Sequence, residues 1–231
     1  MRITKEKQPI IQEKIKQIRK GSWLQTYTGR AFYPYDPRPE EIDINDIAHA
    51  LSLICRFNGH CSEFYSVAEH SVRGAWYMRD RYARHNMEMP NTDLCSIYML
   101  MHDAPEAYLT DIPRPIKKDL PQFKELEASI YIEILKKFKL PTNYEHIKCF
   151  NGFSTSQRYF PTREFIPIDE AVREIDDILL ATEKRDLMKR EPQSWGLEAS
   201  PLVERIIPYS SKDAERLFLD EFHRLHGGIK I

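Results

Sequence analysis

A chain of 231 residues can bury one substantial hydrophobic core but is short for two generous domains. With 42% hydrophobic and 30% charged residues it lies outside the polar, highly charged regime in which chains stay unfolded. Its 34 basic residues are balanced by 35 acidic ones, which excludes a global attraction to nucleic acid or an anionic membrane, so any affinity for phosphate must be local.

The first residues, Met-Arg-Ile-Thr-Lys-Glu-Lys, lack the apolar stretch of a signal peptide, and no run is long enough to span a bilayer. A cytoplasmic protein is expected. The four cysteines, Cys55, Cys61, Cys95 and Cys149, are scattered without a Cys-x-x-Cys pair, which points to reduced, buried thiols.

Residues 1–22 form a peripheral segment in which Ile10, Ile11, Ile15 and Ile18 predict a short amphipathic helix over 4–20. A single domain then runs over 23–231. From Trp23 to Tyr35 the aromatic residues flank Thr28-Gly29-Arg30, the pattern of two short strands around a glycine turn. Asp43 or Asn45 can cap a helix carrying Ile47, Leu51 and Ile54 and ending near Asn58-Gly59. Further helices are predicted over about 65–84, 92–104 and 122–138, with Asp111-Ile-Pro-Arg-Pro as a loop between the last two. Residues 140–167, with three prolines, read as a long connection, either a functional flap or an irregular insertion. A helix follows over 169–189, and a last one starts after Ser210-Ser211 and ends at Gly227-Gly228. The fold class is mainly α, a helical bundle with a small N-terminal β-hairpin.

The chemistry concentrates where the apolar helix segment Ile97 to Met101 runs into His102 and Asp103. Two ionisable groups at the end of a buried helix cost desolvation energy that a bound cation would offset. Glu106 lies three residues beyond Asp103, with its direction dependent on Pro105. His70 shares a helix face with Val67 and Gly74. Asp176 aligns with Val172, Leu179 and Leu180, whereas Asp177 aligns with Arg173 and Lys184, so Asp176 points inward and Asp177 outward. Two imidazoles and two carboxylates suit a transition-metal ion more than calcium, and four protein ligands leave positions for water and a phosphate oxygen. Any one such residue is more often a hydrogen-bonded core group. Four of them on apolar helices, with Glu106 and Asp111 nearby, favour a metal.

His70, His102-Asp103 and Asp176 together resemble the H…HD…D signature of the HD-domain metal-dependent phosphohydrolases. The stretch His-Asp-Ala-Pro-Glu-Ala-Tyr-Leu-Thr-Asp-Ile-Pro is similar to that of the branch holding 5′-deoxynucleotidases and phage deoxyadenosine triphosphate triphosphohydrolases, and the likeness spans roughly residues 23–225. The resemblance implies an HD-type bundle holding one divalent ion (Mn, Co, Zn, Fe or Mg) on His70, His102, Asp103 and Asp176. It makes Glu106 and Asp111 the catalytic carboxylates, and Arg56 and Phe57 contacts to phosphate and to sugar or base. Phe57 stands where that branch has Trp, and Thr110 where glycine is common. Lys117 is a further candidate phosphate contact. His49 and His60 could reach substrate, although a structural hydrogen bond is the plainer role. The implied reaction is hydrolysis of a deoxynucleotide, either a dNTP, with a lean toward dATP, or a dNMP. Alternatives are a nucleotide-sensing HD module without turnover and a helical protein with a chance His-Asp pair. A homo-oligomer and no duplex nucleic acid partner are expected.

Overall fold

The computed structural model describes residues 19–83, 92–143, 148–151 and 164–229. The helix expected over 4–20 lies outside them, apart from Arg19 and Lys20, which are not helical. Strand β1 (Leu24–Gln25) pairs antiparallel with β2 (Ala31–Phe32), Leu24 opposite Phe32, around a turn in which Gly29 takes φ +83°. Phe32 from this hairpin is fully buried and stacks on Tyr108 at 4.0 Å.

Asp43 caps α1 (Ile44–Leu53) by accepting from the Asn45 N–H at 3.0 Å. The helix stops at Ile54, short of the expected Asn58-Gly59, because Cys55 bridges Ser66 and the Arg56 N–H donates to the Tyr65 carbonyl at 2.9 Å. That cross-chain pairing closes the 55–66 loop and takes the backbone out of the helix. Within it, Phe57 and Asn58 adopt left-handed backbone, φ 56° and 51°.

Helix α2 (Val67–Ala83) packs closely on α3 (Thr92–Met101), which is buried from Cys95 onward. A β-carbon on Gly74 would lie 2.4 Å from Met99 Cε, so glycine sets how near the two helices come. Helix α3 ends at Met101 rather than Ala104: the Ala104 N–H turns to the Met101 carbonyl at 3.0 Å, and Pro105 has no N–H to carry the helical ladder on. Two single turns, α4 (Glu106–Leu109) and α5 (Arg114–Lys117), lead to α6 (Pro121–Lys137).

The 140–167 connection is not wholly irregular: β3 (Lys148–Asn151) pairs antiparallel with β4 (Glu164–Pro167), Lys148 opposite Pro167. Its prolines and lack of polar alternation concealed this pairing. Helix α7 (Ile168–Leu187) follows, then a loop, then α8 (Ser211–Gly228), whose cap Ser210 accepts from the Asp213 N–H at 3.1 Å. Helix α8 ends at Gly227-Gly228, as its sequence predicts. Ala214, Phe218, Phe222 and Leu225 form the buried stripe of α8 against α1, α2 and α3, each large side chain contributing about 1.5–3 kcal/mol. The fold is thus mainly α with a small N-terminal hairpin.

Cys55 and Cys61 are free, but Cys95 is disulfide-bonded, which corrects the expectation of four reduced thiols. Bonding depends on Cα separation, which scattered sequence positions do not reveal. No helix among the described residues is long and apolar enough to cross a membrane.

Candidate metal centre

Three elements deliver the imidazoles and carboxylates. His70 sits fully buried on α2, His102 and Asp103 occupy the turn after α3, and Asp176 lies on α7. One ligand atom each from His70, His102 and Asp176 lie within 4.8 Å of one another. His70 Nε2 is 3.4 Å from His102 Nε2 and 3.2 Å from Asp176 Oδ1. Asp103 Oδ2 is 3.1 Å from His102 Nε2 and 3.8 Å from His70 Nε2. Asp177, on the outer side of the same helix, instead meets Arg114 Nη1 at 2.6 Å.

The outer nitrogens of both imidazoles are occupied. His70 Nδ1 pairs with Glu183 Oε1 at 2.6 Å, and His102 Nδ1 with the Met99 carbonyl at 2.7 Å. A carbonyl only accepts, so His102 Nδ1 carries a proton and its Nε2 faces inward; an ionised Glu183 likewise keeps a proton on His70 Nδ1 and turns its Nε2 inward. With His70 Nε2 deprotonated, as an ion would require, the two Nε2 atoms among carboxylate oxygens would form a donor set that fits a divalent ion with mixed N and O preference. In the ion-free protein, burial and Arg56 oppose a charge on His70, but Glu183 and Asp176 outweigh them and raise its pKa to about 9. Burial also opposes ionisation of Asp103 and Asp176, yet His102 and His70 beside Asp103, and His70 beside Asp176, hold both well below the usual carboxylate range.

Glu106 is buried, its Oε2 has no hydrogen-bond partner among the described residues, and its Oε1 lies 3.6 Å from Lys117 Nζ. Burial, reinforced by Asp103 and Asp111, pushes its carboxyl well above the ordinary value. Burial likewise raises Asp111, against the pull of Arg56. Thr110 holds φ +121°, a region that favours glycine, and this strained turn leads directly into Asp111. Arg56 donates from Nε to Glu183 Oε2 at 3.1 Å, with its Nη1 3.6 Å from Asp103. Lys117 is divided between Glu106 and Glu127, the latter at 2.6 Å.

Several of these groups wall a cavity of about 550 Å³. Arg56, Arg114 and Lys117 face it together with Asp103, Glu106, Asp111 and Asp176, while Phe57, Met188 and Trp195 supply apolar surface. Phe57 and Trp195 stand 6.1 Å apart, tilted by 54°. His60 lines the same cavity, but His49 turns away, stacking on Tyr27 at 3.6 Å and pairing with Glu215 at 3.2 Å.

All nine residues singled out in the sequence, Arg56, Phe57, His70, His102, Asp103, Glu106, Asp111, Lys117 and Asp176, border this centre or its cavity. Three participants escaped the sequence reading. Glu183 lies seven residues after Asp176, two helical turns along the same face, and that spacing was a usable signal. Arg114 and Trp195 sit in a single turn and a loop, where no periodicity marks a direction.

The sequence is 35% identical over 207 residues, 88% of this chain and 96% of the relative, to the uncharacterized protein YfdR of Escherichia coli K12. It is 34% identical over 125 residues, 53% of this chain and 61% of the relative, to an uncharacterized protein of Rhodobacter capsulatus. No family model matches it. Because the likeness to YfdR runs through almost the whole of that relative, this chain belongs to the YfdR family.

Proposed function

We propose that the chain is a metal-dependent phosphohydrolase of the HD type that acts on a deoxynucleotide. The observation that carries this reading is the convergence of His70, His102 and Asp176 within 4.8 Å beside a cavity lined by both cations and aromatic rings. A phosphate needs the first and a nucleobase the second.

When bound there, a divalent ion supplies Lewis-acid polarisation of a phosphate oxygen and a more acidic water. Arg56 and Lys117, each already beside carboxylates, offer donors that fix the phosphate without overwhelming the local charge. In the hydrolysis, water oxygen adds to phosphorus, the ester P–O bond breaks and the departing oxygen takes a proton. Of Glu106 and Asp111, the one in its ionised form accepts a proton from the attacking water, and the one held protonated, which burial favours, gives a proton to the leaving oxygen. Phe57, Trp195 and Met188 hold the base end by apolar and ring contact.

The test is an assay of the purified chain against deoxynucleoside mono- and triphosphates with Mn, Co, Zn or Mg, reading phosphate and triphosphate separately. Release of either is expected. No release with any ion, together with retained nucleotide binding, would replace this reading with a sensing module.

A further inference from the structure

Glu183 is completely buried on α7 and both of its carboxylate oxygens are engaged. Oε1 lies 2.6 Å from His70 Nδ1, on α2, and Oε2 lies 3.1 Å from Arg56 Nε, in the loop after α1. Its partners are thus 113 and 127 residues away in the chain, and they belong to the two halves of the site: a metal-ligating imidazole and a phosphate-side guanidinium. Burial opposes the charge on this carboxylate, and its two charge-assisted hydrogen bonds offset that cost.

We infer that Glu183 is a positioning residue that sets the His70 ring and the Arg56 guanidinium through one carboxylate, so that metal affinity and phosphate affinity depend on the same side chain. The inference rests on reading the centre as a metal site. Its chemistry is specific to a carboxylate. With His70 Nδ1 and Arg56 Nε both donating, the group between them must accept twice. An amide of the same shape accepts with its oxygen and donates with its nitrogen, so a glutamine at 183 satisfies one partner and sets two donors against each other at the other. If the imidazole loses, its ring is free to turn and Nε2 is no longer aimed at His102 and Asp176. If the guanidinium loses, Nη1 leaves the cavity wall beside Asp103.

The experiment measures cobalt(II) binding by chelator competition and by visible absorption of the Co(II) form, then inorganic phosphate binding to the cobalt-saturated protein. It compares the wild type with Glu183→Gln, Glu183→Asp and Glu221→Gln. Glu221 is another buried carboxylate paired with arginines, on α8 and outside the site, so its variant reports what loss of a buried pair alone does. Glu183→Gln is expected to lose roughly 10–100-fold in cobalt affinity, with an altered absorption spectrum, and to bind phosphate more weakly even when saturated with cobalt. Glu183→Asp keeps the charge but is one methylene shorter and reaches only one partner; it is expected to lose one of the two affinities, and it decides the matter if the glutamine variant does not fold. Glu221→Gln is expected to melt earlier with cobalt and phosphate affinities unchanged. Wild-type binding of cobalt with equal affinities in folded Glu183 variants overturns the positioning role alone. Failure of the wild type to bind cobalt overturns the metal reading and this inference with it.

Discussion

Each ligand in the centre is aimed by what its far side touches. His102 is held by the Met99 carbonyl, His70 by Glu183, and Asp176 by Arg114, so little rotamer freedom remains to be lost when an ion arrives. Asp176 and Asp177 share Arg114 yet face different surroundings, which makes them a matched pair for a test. Asp176→Ala is expected to reduce bound divalent metal to background in elemental analysis, while Asp177→Ala retains it. Glu106, buried and with one oxygen unpartnered among the described residues, is expected to be needed for turnover rather than for binding. Glu106→Gln should lower kcat by roughly 10²–10⁴-fold with little change in KM, measured by phosphate or triphosphate release.

Among the elements, the contact between α2 and α3 places His70 against the His102 turn. Gly74 stands four residues after His70, and a β-carbon there would meet Met99 Cε at 2.4 Å, Met99 Cγ at 3.0 Å and Leu179 Cδ1 at 3.2 Å. Gly74→Ala therefore requires the buried Met99 and Leu179 side chains, or the helices carrying them, to shift, with an expected cost of about 1–3 kcal/mol in urea unfolding. The cap of α1 supplies a pH-dependent test. Burial acts to raise the Asp43 carboxyl, but the Asn45 N–H and side chain together with Arg30 outweigh it and lower its pKa. A depressed carboxylate contributes stability that is complete above the ordinary value of about 3.9 and is lost as pH falls through the folded value. Asp43→Ala should therefore cost about 1 kcal/mol at neutral pH, and its deficit relative to wild type should shrink in acid, as read from unfolding midpoints.

At the scale of the molecule, a centre built from the loop after α3 and from α2 and α7 makes a bound ion a cross-link between distant parts of the chain. An ion at one hundred times its dissociation constant adds about 2.7 kcal/mol to the folded state if it binds only that state. For a domain of this length the expected rise in Tm is about 5–10 °C, measured by calorimetry with and without cobalt and reversed by a chelator. An unchanged Tm would count against a preformed metal centre.

Helical periodicity is a local property, so the chain alone determined where most helices run, which of Asp176 and Asp177 faces inward, and that His70 lies on an inward face. The same locality explains what it did not determine. Helix α1 was drawn too long because the pairing of Cys55 with Ser66 is made across a loop, and β3 with β4 escaped because their match is between strands rather than within either. Arg114 and Trp195 reach the cavity from segments with no repeating pattern, and Glu183 acquires its role only when α2, α7 and the 55–66 loop meet. Residue types and their faces are written along the chain, but whether two imidazoles and their carboxylates share one point depends on helix packing between residues tens to more than a hundred positions apart, and tertiary structure alone decides that.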